Sequence, residues 1–369
     1  AYPQEEILDI PYKGFIYAGT NLTMWKVGAG WSNAITQVTV PMMAVIPINS
    51  RLNVTIMNSP SVTWGYVEEE TILGLSDTWV KGNYVFWNKK AMFHLGLGLP
   101  TGKTRLTDDQ YEISKNNLSR NVFRYQLPVY GQGFCGRIGL STAHQIRDGI
   151  VLGMGVQYLR RSTYHPVTYE YSYEGPSGPV TQTWDVEYRP GDELGGNIGV
   201  DIRLNENVKI LLDGVYTYYG RDLLDGKEVF GSGNKINVNL GIYWQFGQRY
   251  LWSHLLYRRR GKNELLQGLD IQKEAQILSG DQYELDIIFQ AAKYNNGALY
   301  ITGEARYYTK NELYTGPDLV SGLGIRIDFK IAQSTIIDFR FKYQSGNVKF
   351  DENRSVTGLV TFIGFRYDL

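Results

Sequence analysis

A chain of 369 residues with 37 basic and 37 acidic side chains has no formal net charge, which argues against nucleic-acid binding driven by phosphate electrostatics. Mean hydropathy is −0.28, and no run of about eighteen apolar residues exists, so a helical membrane span is excluded. The single cysteine, Cys135, excludes an intrachain disulfide framework and a cysteine-only zinc site.

A soluble chain of this length would divide into two or three domains, yet no Pro/Gly/Ser-rich linker or shift of composition marks a boundary. Instead, apolar and polar residues alternate through segment after segment. A strand turns successive side chains to opposite faces, so each segment has one greasy face and one wet face. Such segments, joined alternately by very short turns and long polar loops, are the pattern of an antiparallel up-and-down transmembrane β-barrel, an all-β fold. Only every second residue then faces lipid, which reconciles membrane insertion with low mean hydropathy. No charged-then-apolar leader precedes Ala1, and we read the chain as a mature form in the bacterial outer membrane, its signal peptide removed.

In chain order, residues 1–13 read as an N-terminal segment in the periplasm or lumen, and 14–369 as one barrel domain. The first upward strand falls at 14–29. Short turns follow at Asn49–Arg51, Asn88–Lys90, Arg147–Gly149, Asn205–Asn207, Gly247–Arg249, Tyr294–Gly297 and Ile331–Ser334, with long connections at 101–130, 163–191 and 262–280. Outer-membrane barrels place short turns in the periplasm and long loops outside. Counting back from a last strand that ends in the periplasm gives about sixteen strands, with fourteen and eighteen as alternatives.

The stretches "VTVPMMAVIPINSRLNVTI" (Val38–Ile56), "GLSDTWVKGNYVFW" (Gly74–Trp87) and "AMFHLGLGLPTGKT" (Ala91–Thr104) resemble the outer-membrane proteins linked to the phenol meta-cleavage pathway. That family is distantly related to hydrophobic-substrate channels of the fatty-acid-transporter type. The resemblance implies a transporter of hydrophobic solutes, and it implies strand-end geometry for Gly74, Asp77, Pro100 and Gly102. The Asn-Pro-Ala hatch of the fatty-acid channels has no counterpart near Ala1.

Gly96–Thr104 also superficially suggests a phosphate loop. The required first glycine would stand at Leu97, and no helical pattern follows Thr104, so the stretch reads as a strand ending at a Pro-Thr-Gly turn. The histidines are His94, His144, His165 and His254. Ser141 and His144 lie on opposite faces of one strand, and His94 and His254 are lumenal without an evident acidic or serine partner in sequence. No enzyme is expected, no cofactor, and no metal site, since His/Asp/Glu spacing gives none.

Arg160 and Arg161, and Arg258, Arg259 and Arg260, stand at the tops of upward strands. Such a rim suits lipopolysaccharide phosphates, for which guanidinium forks are well matched; the plainer reading is solvated loop charge. The loop 163–191, with Tyr164, Tyr169, Tyr171, Tyr173, Trp184 and Tyr188, is either an inward aromatic constriction, an outer lid, or a tyrosine-rich surface hairpin.

Alternation is clearest in Lys235–Phe246, with Ile236, Val238, Leu240, Ile242, Trp244 and Phe246 on one face. Farther on it puts Leu323, Ile325, Ile327, Phe329, Ile337, Phe339 and Phe341 toward lipid and Glu304, Arg306, Arg326, Asp328, Asp338 and Arg340 inward. A Lys or Arg at the bilayer midplane costs about 2–4 kcal/mol, which sets the direction. These six are the expected lumen and selectivity residues, either as a transverse field or as salt bridges closing the lumen. The sequence thus reads as an outer-membrane channel for passive passage of small, aromatic or hydrophobic solutes, in contact with membrane lipid and lipopolysaccharide. The rival is a structural barrel that sheathes or anchors a partner protein in the lumen or periplasm; a lipid or peptide hydrolase ranks third.

Overall fold

The computed structural model describes residues 14–28, 34–65, 71–107, 110, 114, 118, 120–125, 131–166, 168–175, 178–267, 270–275, 277, 279–311, 316–349 and 352–369. Residues 1–13, and with them the expected N-terminal segment, lie outside this set.

Sixteen antiparallel strands close into one barrel. They are β1 (Phe15–Val27), β2 (Ala34–Thr39 and Met42–Asn49), β3 (Leu52–Asn58 and Ser61–Trp64), β4 (Thr71–Gly74 and Thr78–Phe86), β5 (Ala91–Leu99), β6 (Cys135–Arg147), β7 (Ile150–Arg161) and β8 (Glu193–Arg203). The second half is β9 (Val208–Tyr219), β10 (Lys235–Phe246), β11 (Arg249–Arg260), β12 (Gln282–Tyr294), β13 (Gly297–Tyr308), β14 (Asp318–Ala332), β15 (Thr335–Lys349) and β16 (Asn353–Asp368). β1 pairs with β16 from Phe15 opposite Asp368 to Val27 opposite Val356, so no edge is left open.

All seven expected short turns sit at one end. Two are fixed by asparagine side chains: Asn49 Oδ1 accepts from the N–H of Arg51 (2.8 Å) and Leu52 (3.0 Å), and Asn205 Oδ1 from Asn207 and Val208 (both 2.9 Å). At the turn after β4, Trp87, Asn88 and Lys89 are all left-handed.

β2, β3 and β4 are each interrupted at similar height. Proline has no N–H to give a ladder, and Pro41 and Pro60 mark two of the breaks. Neighbouring groups satisfy the backbone there. Gly19 N–H donates to Pro41 O and Val40 N–H to Pro60 O. In β4 the break at Ser76 is bridged by the Asn58 side chain, which donates to Ser76 O (2.9 Å) and Thr78 Oγ1 (2.7 Å).

The outer face is an apolar belt. Along β14, Leu323, Ile325, Ile327 and Phe329 are all exposed, as are Phe341 on β15 and Ile363 and Phe365 on β16. Tyr257, Tyr283 and Tyr307 form a row across β11, β12 and β13 at the long-loop end, with ring centroids 5.1 and 6.4 Å apart. Trp244 and Phe246 stand at the short-turn end, 5.3 Å apart. Aromatics at both rims of an apolar band are the interfacial girdles of a membrane barrel.

Beyond the barrel, the loops after β7, β9 and β11 combine into a five-stranded sheet built from Tyr188–Arg189, Arg221–Leu224, Lys227–Gly231, Glu264–Gln267 and Asp270–Lys273. Thr168–Gly175 and Gly178–Asp185 form a separate hairpin whose base is closed by a bridge between Tyr164 and Tyr188. Within the loop 163–191 the described backbone is therefore a hairpin; the side chains of Tyr169, Tyr171, Tyr173 and Trp184 lie outside the described set.

Candidate functional site

The segment that enters the barrel is the one following β5, which the sequence pattern placed outside. Val122 and Phe123 are buried, 2% and 1% exposed, and with Leu118 and Tyr125 they pack against Trp25, Ile35, Ile72, Tyr308, Val320, Val348 and Val356. Those partners lie near the long-loop ends of β1, β2, β4 and β13 to β16. Burying a side chain such as Phe123 contributes about 1.5–3 kcal/mol. The lumen is thus narrowed from the extracellular side by a piece of the same chain.

Directed bonds fix this segment to the inner wall. Trp25 Nε1–H donates to Phe123 O (2.8 Å), Tyr125 O–H to Ile35 O (2.6 Å), Arg120 Nη1–H to Lys349 O (3.1 Å), and Arg306 Nη1–H to Val122 O. The Trp25 ring also lies 5.1 Å from Phe123 and 5.5 Å from the Arg306 guanidinium. A short 3-10 turn, Asn121–Phe123, ends on Arg124 in the left-handed region at φ 52°. That conformation is uncommon for a residue with a Cβ. Here it aims the guanidinium at three wall carboxylates: Glu284 (2.7 Å), Glu304 (3.4 Å) and Asp286 (3.6 Å).

Glu304 is the centre of that cluster. Besides Arg124 it pairs with Arg306 Nη2 (3.0 Å) and Lys342 Nζ, and it accepts from Gln344 Nε2. The side chains of Glu304 and Arg306 are 1% and 0% exposed. These two expected lumen residues therefore hold the inward segment rather than face the passage. Lower on the wall, Arg326 pairs with Asp328 (2.8 Å) and Asp338 (3.6 Å), and Arg340 with Asp338. The six thus stand as two clusters of paired charges, Glu304 with Arg306 above and Arg326, Asp328, Asp338 and Arg340 below.

Aromatic faces accompany the arginines. Arg326 lies over Tyr300 (5.3 Å), Arg340 over Phe362 (5.0 Å) and Arg366 over Phe15 (4.5 Å). A chamber of about 300 Å³ is bordered by Asn21, Trp252, Asp286, Arg326, Arg340, Lys342 and Phe362.

Of the four strand-end residues of the family resemblance, Asp77 and Gly102 form the neck through which the segment enters and leaves. Asp77 Oδ1 accepts from Gly102 N–H (3.0 Å) and Oδ2 from Gln132 N–H (2.7 Å), while Gly131 N–H donates to Lys103 O (2.8 Å). A Cβ on Gly102 would stand 2.7 Å from Gly131 Cα and 2.8 Å from Asp77 Oδ1, so only glycine fits. Pro100 leads into this turn, where Thr101 Oγ1 donates to Ser76 O (2.9 Å), and Gly74 ends the upper part of β4 opposite Ser61. Replacing Asp77 by alanine leaves two N–H groups without their carboxylate. At about 1.5–3 kcal/mol for a hydrogen bond to a charged group, we expect a looser neck, read as faster protease cleavage within 101–134.

The basic rim divides by strand alternation. Arg160 and Arg259 are exposed on the outer side. Arg161 pairs with Glu193 and donates to Gly191 O, Arg258 donates to Gln282 Oε1 (3.1 Å), and Arg260 stacks over Tyr219. Arg259, though exposed, also pairs with Asp281 (4.0 Å), so four of the five expected lipopolysaccharide contacts have partners within the protein. The period-two rule applied to consecutive arginines already implied that neighbours point opposite ways.

No family model matches the chain, and neither does any curated protein. Among solved structures, it is similar to OprB of Pseudomonas putida at high pH, with 8% identity over 97% of this chain and 94% of that one, at a TM-score of 0.50. It is also similar to a TodX deltaS2S3 mutant monoaromatic hydrocarbon channel (10% identity, 98% and 91% covered, TM-score 0.48) and to a mutant Rh. blastica porin (13%, 96% and 99%, 0.42). At such identities the likeness is one of fold. The apolar belt and aromatic girdles mark the wall as membrane-spanning. The protein is a bacterial outer-membrane barrel.

Sequence reasoning missed Trp25, Arg124 and Tyr125 as determinants of the lumen. Only Trp25 left a signal, as an aromatic on the inward register of β1. It also missed a partner for His94: Ser141 Oγ lies 2.8 Å from His94 Nε2 across the β5–β6 pair.

Proposed function

We propose that this barrel is a passive outer-membrane channel for small solutes, its extracellular half narrowed by the residues around 121–125. The observation that carries the reading is the latch at Arg124 and Trp25: the segment is bound to one side of the wall, with the charged and aromatic chamber bordered by Trp252, Arg340 and Phe362 beside it. Aromatic faces backed by paired charges favour small aromatic or amphiphilic solutes, since rings stack on guanidinium planes and polar tips find hydrogen bonds. The resemblance carried by Gly74–Thr104 to the phenol-pathway outer-membrane proteins supports the same class of solute. The inward segment also takes space that a sheathed partner would need, which favours a channel over a scaffold.

Single-channel recording of the purified barrel in a planar bilayer tests this. We expect discrete openings of low conductance that diminish when benzoate or phenol is added on one side. A silent barrel with a folded, heat-modifiable gel band would overturn the reading.

For the rim, we expect the double change Arg160→Ser and Arg259→Ser to reduce lipopolysaccharide co-purification, while Arg258→Ser leaves it unchanged. Equal loss from both would show that outward placement is irrelevant.

A further inference from the structure

We infer that Ser141 is a nucleophile, activated by His94 and Asn83, in a recess of the lumen wall, and that it transfers acyl groups from small carboxylic esters to water. This goes beyond passage of solutes.

Four adjacent strands place the groups. His94 on β5 and Asn83 on β4 are directly opposite in register, and Ser141 on β6 is near His94 on the same inner face. His94 Nε2 lies 2.8 Å from Ser141 Oγ, and His94 Nδ1 lies 2.8 Å from Asn83 Oδ1. Asn83 Nδ2–H in turn donates to Asn53 Oδ1 on β3 (2.9 Å), and Asn53 is buried. With its Nδ2 committed to Asn53, Asn83 presents only Oδ1 to the ring, so His94 carries its hydrogen on Nδ1. The Nε2 lone pair then faces Ser141, whose hydroxyl donates to it. A serine hydrogen-bonded to a histidine held in that tautomer by a third side chain is the arrangement needed for nucleophilic catalysis.

The surroundings suit the reaction. Ser141 opens into a recess of about 310 Å³ that His94, Gln157 and Asn197 also line. Gly155 lies between Ser141 and Asn197: a Cβ there would stand 3.1 Å from Ser141 Cβ and 2.6 Å from Asn197 Oδ1. Asn197 thus borders the same recess as the nucleophile, with its carboxamide oxygen toward Gly155.

The step balances without any further reagent than water. Ser141 Oγ forms a bond to the ester carbonyl carbon as its proton passes to His94 Nε2. The bond to the alcohol oxygen then breaks, and that oxygen leaves with the proton. Water repeats the sequence, its proton going to His94 and then to Ser141 Oγ as the carboxylic acid departs. Ser141 and His94 are the catalytic residues; Asn83 is a positioning residue.

The test uses the full-length folded barrel in detergent micelles, with a fluorophosphonate probe and p-nitrophenyl butyrate. We expect a phosphonate adduct on the Ser141 peptide and ester hydrolysis that Ser141→Ala abolishes. His94→Asn should slow labelling by about a hundredfold or more, within the range for loss of a general base. Asn83→Ala should shift the pH profile of labelling, and Asn83→Asp should restore it. Each variant is checked for the heat-modifiable band of a folded barrel. A folded wild-type barrel with no adduct on Ser141 overturns the proposal. So does labelling that persists undiminished in folded His94→Asn. Should that variant fail to fold, wild-type labelling with no dependence on pH overturns it instead.

Discussion

Replacing residues 105–129 by a short Gly-Ser link should raise the conductance of the barrel by about tenfold or more, because a sixteen-stranded barrel is wide enough for an aqueous passage once nothing fills it. The wall should fold without the inward segment, since the two ends of that segment already touch. Gly131 N–H donates to Lys103 O at 2.8 Å, and Gly102 and Gly131 are in backbone contact. A link from Thr104 to the exit side therefore spans almost no distance. Arg124→Ala should give a smaller effect of the same sign, as flickering between low and high levels, since Trp25, Tyr125 and Arg120 still hold their neighbours. Planar-bilayer recording of both variants checks this. Unchanged conductance after excision would mean that the constriction lies elsewhere.

The wall was legible in the sequence because period-two alternation and short turns are local signals. The first strand, expected at 14–29, spans Phe15–Val27, and all seven short turns fall where breaks in the alternation put them. The inward segment was not legible, since its destination depends on contacts far along the chain. Trp25 reaches Phe123 across 98 positions, Arg124 reaches Glu284 across 160, and Arg306 reaches Val122 across 184. Nothing between 101 and 134 alternates in a way that specifies those partners. The same distance hid the Ser141–His94 pair, which 47 positions separate and only the β5–β6 register brings together. The choice between inward charges as a field and as salt bridges was likewise open until cross-strand partners were fixed. Arg326 and Asp338 meet only because β14 and β15 are adjacent in this register.

Changing Glu304 to alanine should be the most destabilising single substitution in the lumen. Its carboxylate is balanced against Arg124, Arg306 and Lys342, while Glu284 and Asp286 supply the other two negative charges beside Arg124. Without it, three positive groups face two negative ones, and Arg306 is fully buried. Removing one partner from a buried pair costs about 3–5 kcal/mol, because the remaining charge is left uncompensated. Asp328→Ala is the contrast: its side chain is 22% exposed, its partner Arg326 is 30% exposed, and Arg326 keeps Asp338. That pair is worth about 1 kcal/mol or less. Glu304→Gln should fall between, since it still accepts a hydrogen bond but carries no charge. Urea titration followed by heat-modifiable gel mobility ranks the three. If Glu304→Ala and Asp328→Ala unfold at the same urea concentration, the carboxylate cluster is not what binds the inward segment to the wall.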